Sequence, residues 1–311
     1  MKTLLQDSHV LFPSFALLLC SWCMINTALL DTADEIVAMH TDETRLNPLS
    51  ADTLFRLALT SEDEEQAWSA IEQLQRLNSE MVFTQAVQLC HGSDPRQRRV
   101  GVDVLAQLGL PEQTYHEPVM QVLLTMIETE DAPEVLSSLG IALGHRSDLR
   151  AIDPLLALQQ HPDPDVRYGV VFGLLGHTNP RAVACLITLS ADPEVPVRDW
   201  ATFGLAVQID TDTPALRAAL YARLHDSDGD TAGEAMVGLA RRKDTRVVGP
   251  LLEALQAVDV GSLPLEAVAA LADPLLLPTL QQIQAQWSRK QEWPYQLLEE
   301  AIAACTPSAT G

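Results

Sequence analysis

The chain has 311 residues, enough to bury a large core, and its 42 acidic against 20 Lys and Arg residues give a formal net charge of −22. Such an acidic surface repels phosphate backbones, which argues against nucleic acid as a ligand, and it attracts basic partners. Aromatic residues make up only 5% of the chain, and this composition favours helices over sheets. The five cysteines form neither a disulfide framework nor a zinc motif, which indicates reduced thiols in a cytoplasmic protein.

The chain begins with an apolar segment at residues 1–30, of which residues 10–30 carry no charge and could span a bilayer. Three interpretations are open: a membrane anchor, an export signal, or residues that precede the true start at Met24 or Met39. Because an exported chain would expose unpaired thiols to an oxidising space, we predict a cytoplasmic protein, with a membrane-anchored or exported one as the alternative. Residues 31–49 show little periodicity and are predicted to be a linker.

Helix signals begin at Ser50, a predicted N-cap for the segment ADTLFRLAL. Ser61 is predicted to cap a second helix whose first turn is rich in acids, and a third helix is predicted from about Glu80 to Cys90. From residue 92 onward, helices are predicted in pairs, many of which open with Asp, Asn or Thr followed by Pro, as at Asp94. These residues satisfy or avoid the unpaired N–H groups of a helix start.

One short phrase occurs twice in the middle of the chain. The copies begin at Asp163, as DPDVRYGVVFGLL, and at Asp192, as DPEVPVRDWATFGLA. Arg167 and Arg198 hold the same place in the phrase (198 − 167 = 31). A period of this size is typical of repeat arrays, in which each unit contacts its neighbours. The sequence therefore predicts an all-α fold, an α-solenoid of about seven stacked antiparallel helix pairs that forms a right-handed superhelix over residues 50–305, with a frayed tail at 306–311.

Small residues recur on the first helix of successive pairs, where they are predicted to let neighbouring backbones approach closely. A glycine in a helix costs about 1 kcal/mol relative to alanine, so close packing is the expected compensation. The glycines concerned are Gly169, Gly173, Gly204 and Gly238.

The repeated phrase resembles HEAT-repeat proteins, and most closely the short HEAT-like repeats named after phycobilisome lyases. The resemblance is carried by DPDVR at residues 163–167 and by NPRAV at 179–183, and it covers about residues 90–285. It implies an armadillo-type stack of helix pairs. Because the family includes adaptors, bilin lyases and di-iron deoxyhypusine hydroxylases, the resemblance implies a fold without choosing a function.

Catalytic chemistry finds little support in the residues. A di-iron site needs clustered imidazole and carboxylate ligands, but the sequence has a single His-Glu pair, at His116. His145 and His177 lie 32 residues apart (177 − 145 = 32) and are followed by Arg and Thr, so we interpret them as histidines of the repeat turns. No nucleophile, phosphate loop or metalloprotease motif is present. The sequence thus indicates no catalytic residue, no metal site and no cofactor.

Arg198, Asp199 and Trp200 form the candidate binding site, because a charged pair beside a tryptophan can anchor a partner. The alternative is that Arg198 is a structural arginine of the repeat and that Trp200 packs between layers. We predict a non-catalytic scaffold or adaptor whose acidic concave surface accepts a basic or helical segment of another protein. The alternative is an enzyme related to the bilin lyases or the deoxyhypusine hydroxylases. A membrane is expected as a partner only if residues 10–30 are an anchor.

Overall fold

The computed structural model describes residues 49–257, 260–287 and 293–307, and in these residues all regular structure is helical. The all-α prediction is therefore confirmed. The α-helices are α1 (Ala51–Thr60), α2 (Glu64–Leu77), α3 (Glu80–Cys90), α4 (Pro95–Gln107), α5 (His116–Ile127), α6 (Pro133–Arg146), α7 (Ile152–Ala157), α8 (Pro164–Leu174), α9 (Pro180–Leu189), α10 (Val195–Phe203), α11 (Pro214–Arg223), α12 (Gly229–Arg241), α13 (Val248–Ala254), α14 (Ser262–Leu271), α15 (Leu277–Gln286) and α16 (Trp293–Cys305).

Predictions that concern the beginning of the chain lie outside the described residues. These are the apolar segment at residues 1–30 and the linker, of which the structure describes only Leu49. Within the described ranges, no helix combines the length and the hydrophobicity that a bilayer crossing requires.

Side-chain caps explain where eight of these sixteen helices begin. The hydroxyl of Ser50 accepts a hydrogen bond from the N–H of Thr53 at 3.3 Å, as predicted for α1. Asp94, Asn179 and Thr213 cap α4, α9 and α11 in the same way, and a proline occupies the first turn of each of these helices. The local turn chemistry of the sequence therefore fixes the starts of helices along both halves of the chain.

The prediction that Ser61 caps the second helix is wrong. Asp63 caps α2, because its Oδ1 accepts from the N–H groups of Glu65 and Gln66 at 3.0 and 3.3 Å. The hydroxyl of Ser61 instead donates to the main-chain oxygen of Asp63 at 3.0 Å and so orders the turn before the helix. A carboxylate is the stronger acceptor at a positive helix end, which explains the later start.

The chain divides into two compact units, one ending at Val119 and one beginning at Met120. In the first unit, α1 packs on α2, and α3 packs on α4. Leu54, Phe55, Leu74 and Leu105 are almost completely buried in its core. The prediction of one array over residues 50–305 stays a prediction.

The second unit repeats a single packing scheme. The first helices of its pairs stack directly on one another in the order α6, α8, α10, α12, α14 and α16. The second helices, α7, α9, α11, α13 and α15, fill the other layer, and α7, α13 and α15 are preceded by short 3₁₀ turns. After Phe203, α10 continues in a π-helical turn at residues 204–208. The second helices cover one side of the first-helix layer, and the opposite side of that layer forms a surface.

The predicted close approach of glycine-bearing helices is confirmed at Gly169, Gly173 and Gly238, whereas a Cβ atom added at Gly204 would meet the side chains of Leu175 and Leu186, at 2.7 and 3.6 Å. A Cβ atom added at Gly169 would lie 2.7 Å from the main-chain oxygen of Ser137, and one added at Gly238 would lie 2.8 Å from the Cα of Ala206. Gly140 faces Gly169 from α6, where an added Cβ would come within 2.5 Å of the Gly169 carbonyl carbon. The absence of side chains therefore sets the spacing of the first helices.

Candidate functional site

The three residues of the predicted binding site lie in the first turns of α10, but the structure gives them different surroundings. Arg198 is 7% exposed, whereas Asp199 and Trp200 are partly exposed. The triplet therefore separates into one internal residue and two surface residues. Their predicted role in binding a partner stays a prediction.

Arg198 holds consecutive repeats together. Its Nε and Nη2 donate to the two carboxylate oxygens of Asp226 at 2.9 and 3.0 Å, and its Nη1 donates to the main-chain oxygens of Asp192 and Pro193 at 2.8 and 3.2 Å. A guanidinium satisfied on both edges in this way cannot reach a partner without breaking these bonds. Arg198 is thus engaged as a structural clamp.

The same clamp occurs one repeat earlier. Arg167 donates from Nε and Nη2 to Asp192 at 2.7 and 2.8 Å, and from Nη1 to the main-chain oxygens of His161 and Pro162. Burial acts to raise the pKa of Asp192, but the hydrogen bonds from Arg167 hold it below its usual value. Arg167 and Arg198 share one place in the repeat, so the repetition visible in the sequence reflects a repeated ion pair.

Trp200 belongs to a row of aromatic rings on the first-helix layer. Its ring centroid lies 6.3 Å from that of Tyr168, 6.2 Å from that of Phe172 and 5.5 Å from that of Phe203. All four rings are partly exposed. His145 extends the row at 5.3 Å from Phe172. Burial lowers the pKa of His145 to about 4, assisted by the charge of Arg146, so this imidazole is neutral at physiological pH.

Three carboxyl groups lie on the same layer, on consecutive first helices: Asp199 on α10, Glu234 on α12 and Glu266 on α14. All three side chains are partly exposed. None of them forms an ion pair with a described residue. Asp199 accepts one long hydrogen bond, at 3.3 Å, from the hydroxyl of Thr231. Oε2 of Glu234 is inaccessible to solvent and has no hydrogen-bond partner among the described residues.

The surroundings of these carboxyl groups favour their neutral forms. Burial raises the pKa of Asp199 to about 7, assisted by the charges of Asp228 and Asp230. Burial likewise raises the pKa of Glu234 to about 8, and the charges of Asp199 and Glu266 raise it further. Half-buried carboxyls that lack a cation are typical of functional sites, because a ligand can supply the missing charge.

The acids and the rings share one surface. The charge of Asp199 contributes, after burial, to raising the pKa of Tyr168, which belongs to the aromatic row. Glu234 also holds the place in its repeat that Trp200 holds in the preceding one (234 − 200 = 34). We call this surface the aromatic–acidic face; it consists of Tyr168, Phe172, Trp200, Phe203, Asp199, Glu234 and Glu266.

Sequence reasoning identified only two members of this face, Asp199 and Trp200. The signal for the others was present as equal spacing: Phe172 and Phe203 are 31 residues apart (203 − 172 = 31), and Glu234 and Glu266 are 32 apart (266 − 234 = 32). These spacings equal the repeat period, so they mark side chains on the same side of successive helices.

The described residues contain no group of three or more His, Cys, Asp or Glu side chains placed to hold a metal ion. His177 is 6% exposed and follows α8 in the turn that leads to α9. Burial lowers its pKa. The interpretation as a residue of the repeat turns agrees with this position of His177, but it is wrong for His145, which lies in the last turn of α6.

Comparison with known proteins supports the repeat class. A sequence profile of HEAT repeats matches residues 120–206, which contain both copies of the phrase and lie in the second unit. No curated protein matches the chain in sequence. The predicted resemblance to HEAT-repeat proteins is confirmed, and the stacked pairs form an α-solenoid of the armadillo and HEAT type.

Solved structures show the same fold at low sequence identity. YibA of Escherichia coli is similar with a TM-score of 0.68 and 23% identity, over 84% of this chain and 93% of that one. Kap95p, in a structure that describes its binding to RanGDP, is similar with a TM-score of 0.55 and 14% identity, over 93% of this chain and 42% of that one. The complex of CpcE and CpcF of phycocyanin lyase from Nostoc sp. PCC7120 gives a TM-score of 0.45 and 15% identity, over 85% and 98%. This last likeness is too weak to support an argument about fold or function.

Proposed function

We propose that the chain is a non-catalytic scaffold that binds a basic segment of another protein on the aromatic–acidic face. One observation carries the proposal: three partly exposed acidic residues, which form no ion pair with a described residue, lie on the same helix layer as four partly exposed aromatic rings. Aromatic rings supply apolar area and attract cations through their faces, and carboxylates supply the opposite charge. A basic amphipathic segment offers both complementary features.

The distribution of paired and unpaired acids supports this assignment. Asp192, Asp226 and Asp244 each form an ion pair with an arginine of the same chain. Asp199 and Glu234 have no such partner among the described residues. Arginines such as Arg167, Arg198 and Arg246 thus pair with acids at the turns between repeats, whereas no described cation pairs with an acid of the aromatic–acidic face.

The fold is compatible with a protein partner. Kap95p, which has a similar stack of helices, binds RanGDP, and solenoids present extended surfaces to their ligands. The cysteines among the described residues, Cys90, Cys185 and Cys305, are buried and unpaired, which supports the proposal of a reducing, cytoplasmic compartment.

Binding of designed peptides to the purified full chain tests the proposal. The probe is an amphipathic peptide of about 16 residues with leucines on one side and arginines on the other, compared with the same peptide carrying glutamates in place of arginines. We expect the basic peptide to bind with a Kd on the order of 10 μM, and its affinity to fall as salt is added. The acidic peptide should not bind.

A matched pair of variants locates the binding surface. One variant removes the acids of the aromatic–acidic face through three substitutions, Asp199→Asn, Glu234→Gln and Glu266→Gln. We expect its affinity for the basic peptide to fall about tenfold or more. The control removes as many exposed acids elsewhere, as Glu128→Gln, Asp210→Asn and Glu253→Gln. Equal loss in both variants, or binding that is insensitive to salt, would contradict recognition at this face. Stoichiometric iron in the purified chain would contradict a non-catalytic role.

A further inference from the structure

We propose that Asp199 and Glu234 together receive one arginine side chain of the partner, whose guanidinium bridges the two carboxylates. This inference rests on the proposed function and names the group that the aromatic–acidic face selects. The proposed subsite distinguishes arginine from lysine, whereas a general preference for basic segments treats the two alike.

The placement of the three residues carries the proposal. Asp199 lies on the side of α10 that meets α12, because Thr231 of α12 donates to its Oδ1. Trp200, the next residue, lies on the side that meets α8, in contact with Tyr168 and Phe172. Glu234 follows Thr231 by about one helical turn on α12. The two carboxyls on adjacent helices therefore border one position on the face, and Trp200 flanks it on the α8 side of α10.

Glu234 indicates that this position awaits a donor. Its Oε2 is closed off from solvent and no described group donates to it. Leaving a buried acceptor unsatisfied is costly, and such groups mark places that a ligand completes. The one hydroxyl near Asp199 is shared, because Thr231 donates at 2.8 Å to Asp228 and lies at 3.3 Å from Asp199. The subsite thus lacks donors as well as positive charge.

The chain itself shows how a guanidinium bridges acids of consecutive repeats. Arg217 donates from Nε and Nη2 to Asp212 at 2.6 and 2.7 Å, while its Nη1 donates to Asp244 at 3.3 Å. Asp212 precedes α11, and Asp244 precedes α13. An ammonium group is a compact point charge without a planar fork of donors, so it cannot span two carboxylates as a guanidinium does.

Proton binding at the subsite follows from its surroundings. Asp199 faces Asp228, which caps α12, Asp230 and Thr231 of α12, and Tyr168 of α8. Arg198 lies beside it on α10. Glu234 faces Asp199 of α10 and Glu266 of α14, with Asp230 and Arg241 on its own helix. Acids dominate both sets, so the carboxyls hold protons near neutral pH. An entering guanidinium stabilises the carboxylates, and the protons pass to the solvent.

Three peptides that differ at one central residue test the proposal on the full chain. The residue is arginine, lysine or citrulline, which is isosteric with arginine but uncharged, in the amphipathic peptide described above. We expect the arginine peptide to bind about tenfold more tightly than the lysine peptide, and the citrulline peptide to bind most weakly. Affinity for the arginine peptide should rise between about pH 6 and about pH 8.5, with proton release measured by calorimetry in buffers of different ionisation enthalpy.

The variants Asp199→Asn and Glu234→Gln should each abolish the preference for arginine, whereas Glu253→Gln on α13 should keep it. Circular dichroism and thermal unfolding show that each variant is folded. Equal affinities for the arginine and lysine peptides, or a preference that survives in both variants, overturns the arginine subsite while the scaffold role stands. If none of the peptides binds, the proposed function fails and the subsite fails with it.

Discussion

The turns and the aromatic–acidic face of the second unit use the same residue types in opposite ways. At the turns, Asp192 and Asp226 each bind an arginine with two hydrogen bonds. On the face, Asp199 and Glu234 form no ion pair within the part of the chain that the structure describes. The chain has more than twice as many acids as basic residues, so its arginines cannot neutralise every acid. Acids that pair with an arginine stabilise the stack, and acids without such a pair remain available to a partner.

The two regions should respond to pH with opposite signs. Hydrogen bonds from arginines hold the pKa values of Asp192, Asp226 and Asp244 below their usual range. Acidification therefore removes stability at the turns. Burial raises the pKa values of Asp199 and Glu234, so acidification relieves the cost of charge on the face.

The largest effect is expected from breaking a clamp. Arg198→Ala leaves the carboxylate of Asp226, whose side chain is 5% exposed, without the bidentate partner that offsets its burial. We expect the free energy of unfolding to fall by about 3 kcal/mol, measured by urea denaturation at neutral pH. Arg181→Ala is the matched control, because the pair of Arg181 with Asp153 is exposed on both sides and should contribute about 0–1 kcal/mol. Similar losses in the two variants would refute the structural role of the clamp.

A smaller effect is expected from Asp244, the acid that Arg246 and Arg217 share. Hydrogen bonds from Arg246 lower its pKa to about 2, from an ordinary value of 3.8. The contribution of ionised Asp244 to the free energy of unfolding is therefore complete at a pH above 3.8 and is lost as the pH falls toward about 2. Asp244→Asn should be less stable than the wild type by on the order of 1–2 kcal/mol at neutral pH, and this difference should disappear near pH 2. A difference independent of pH would show that charge is not the cause.

The smallest effect, and one of opposite sign, is expected from Glu234→Gln. Burial raises the pKa of Glu234 to about 8 from 4.5. The fold is therefore most stable with respect to this group below pH 4.5, where the carboxyl is neutral, and it loses that stability as the pH rises through about 8. The variant should match the wild type near pH 4.5 and exceed it by on the order of 1 kcal/mol near pH 9, a modest gain because water still screens a half-buried group. A variant that is less stable at alkaline pH would show that Glu234 stabilises the fold instead of serving a ligand.

Stabilisation by Glu234→Gln together with weaker peptide binding would separate the face from the turns most clearly. Neutralising a residue that stabilises the fold rarely makes the protein more stable, whereas neutralising a residue that serves a ligand often does. The comparison of Arg198→Ala with Glu234→Gln therefore tests in one assay whether charge in this protein is divided between structure and recognition.

Much of the fold was predictable because its causes are local or periodic. N-caps such as Asp94 and Asn179 act over two or three residues, and an apolar stripe acts over a few turns. The repeat period adds a longer signal, since Arg167 and Arg198 recur at one place in the phrase. The cap of α2 was missed because Ser61 and Asp63 both fit the pattern, and only their competition in the folded turn selected the carboxylate.

The sequence by itself determined that this protein is all-α, that its helices pair and stack, and where glycines bring them together, because these features follow from short-range hydrogen bonds and from spacing along the chain. Only the tertiary structure decided that Arg198 is enclosed while Asp199 and Trp200 reach the surface, and that Glu234 joins them without a cation. The reason is physical: the charge state and pairing of a side chain depend on groups contributed by neighbouring repeats about 25–35 residues away, and their positions exist only once the helices have stacked.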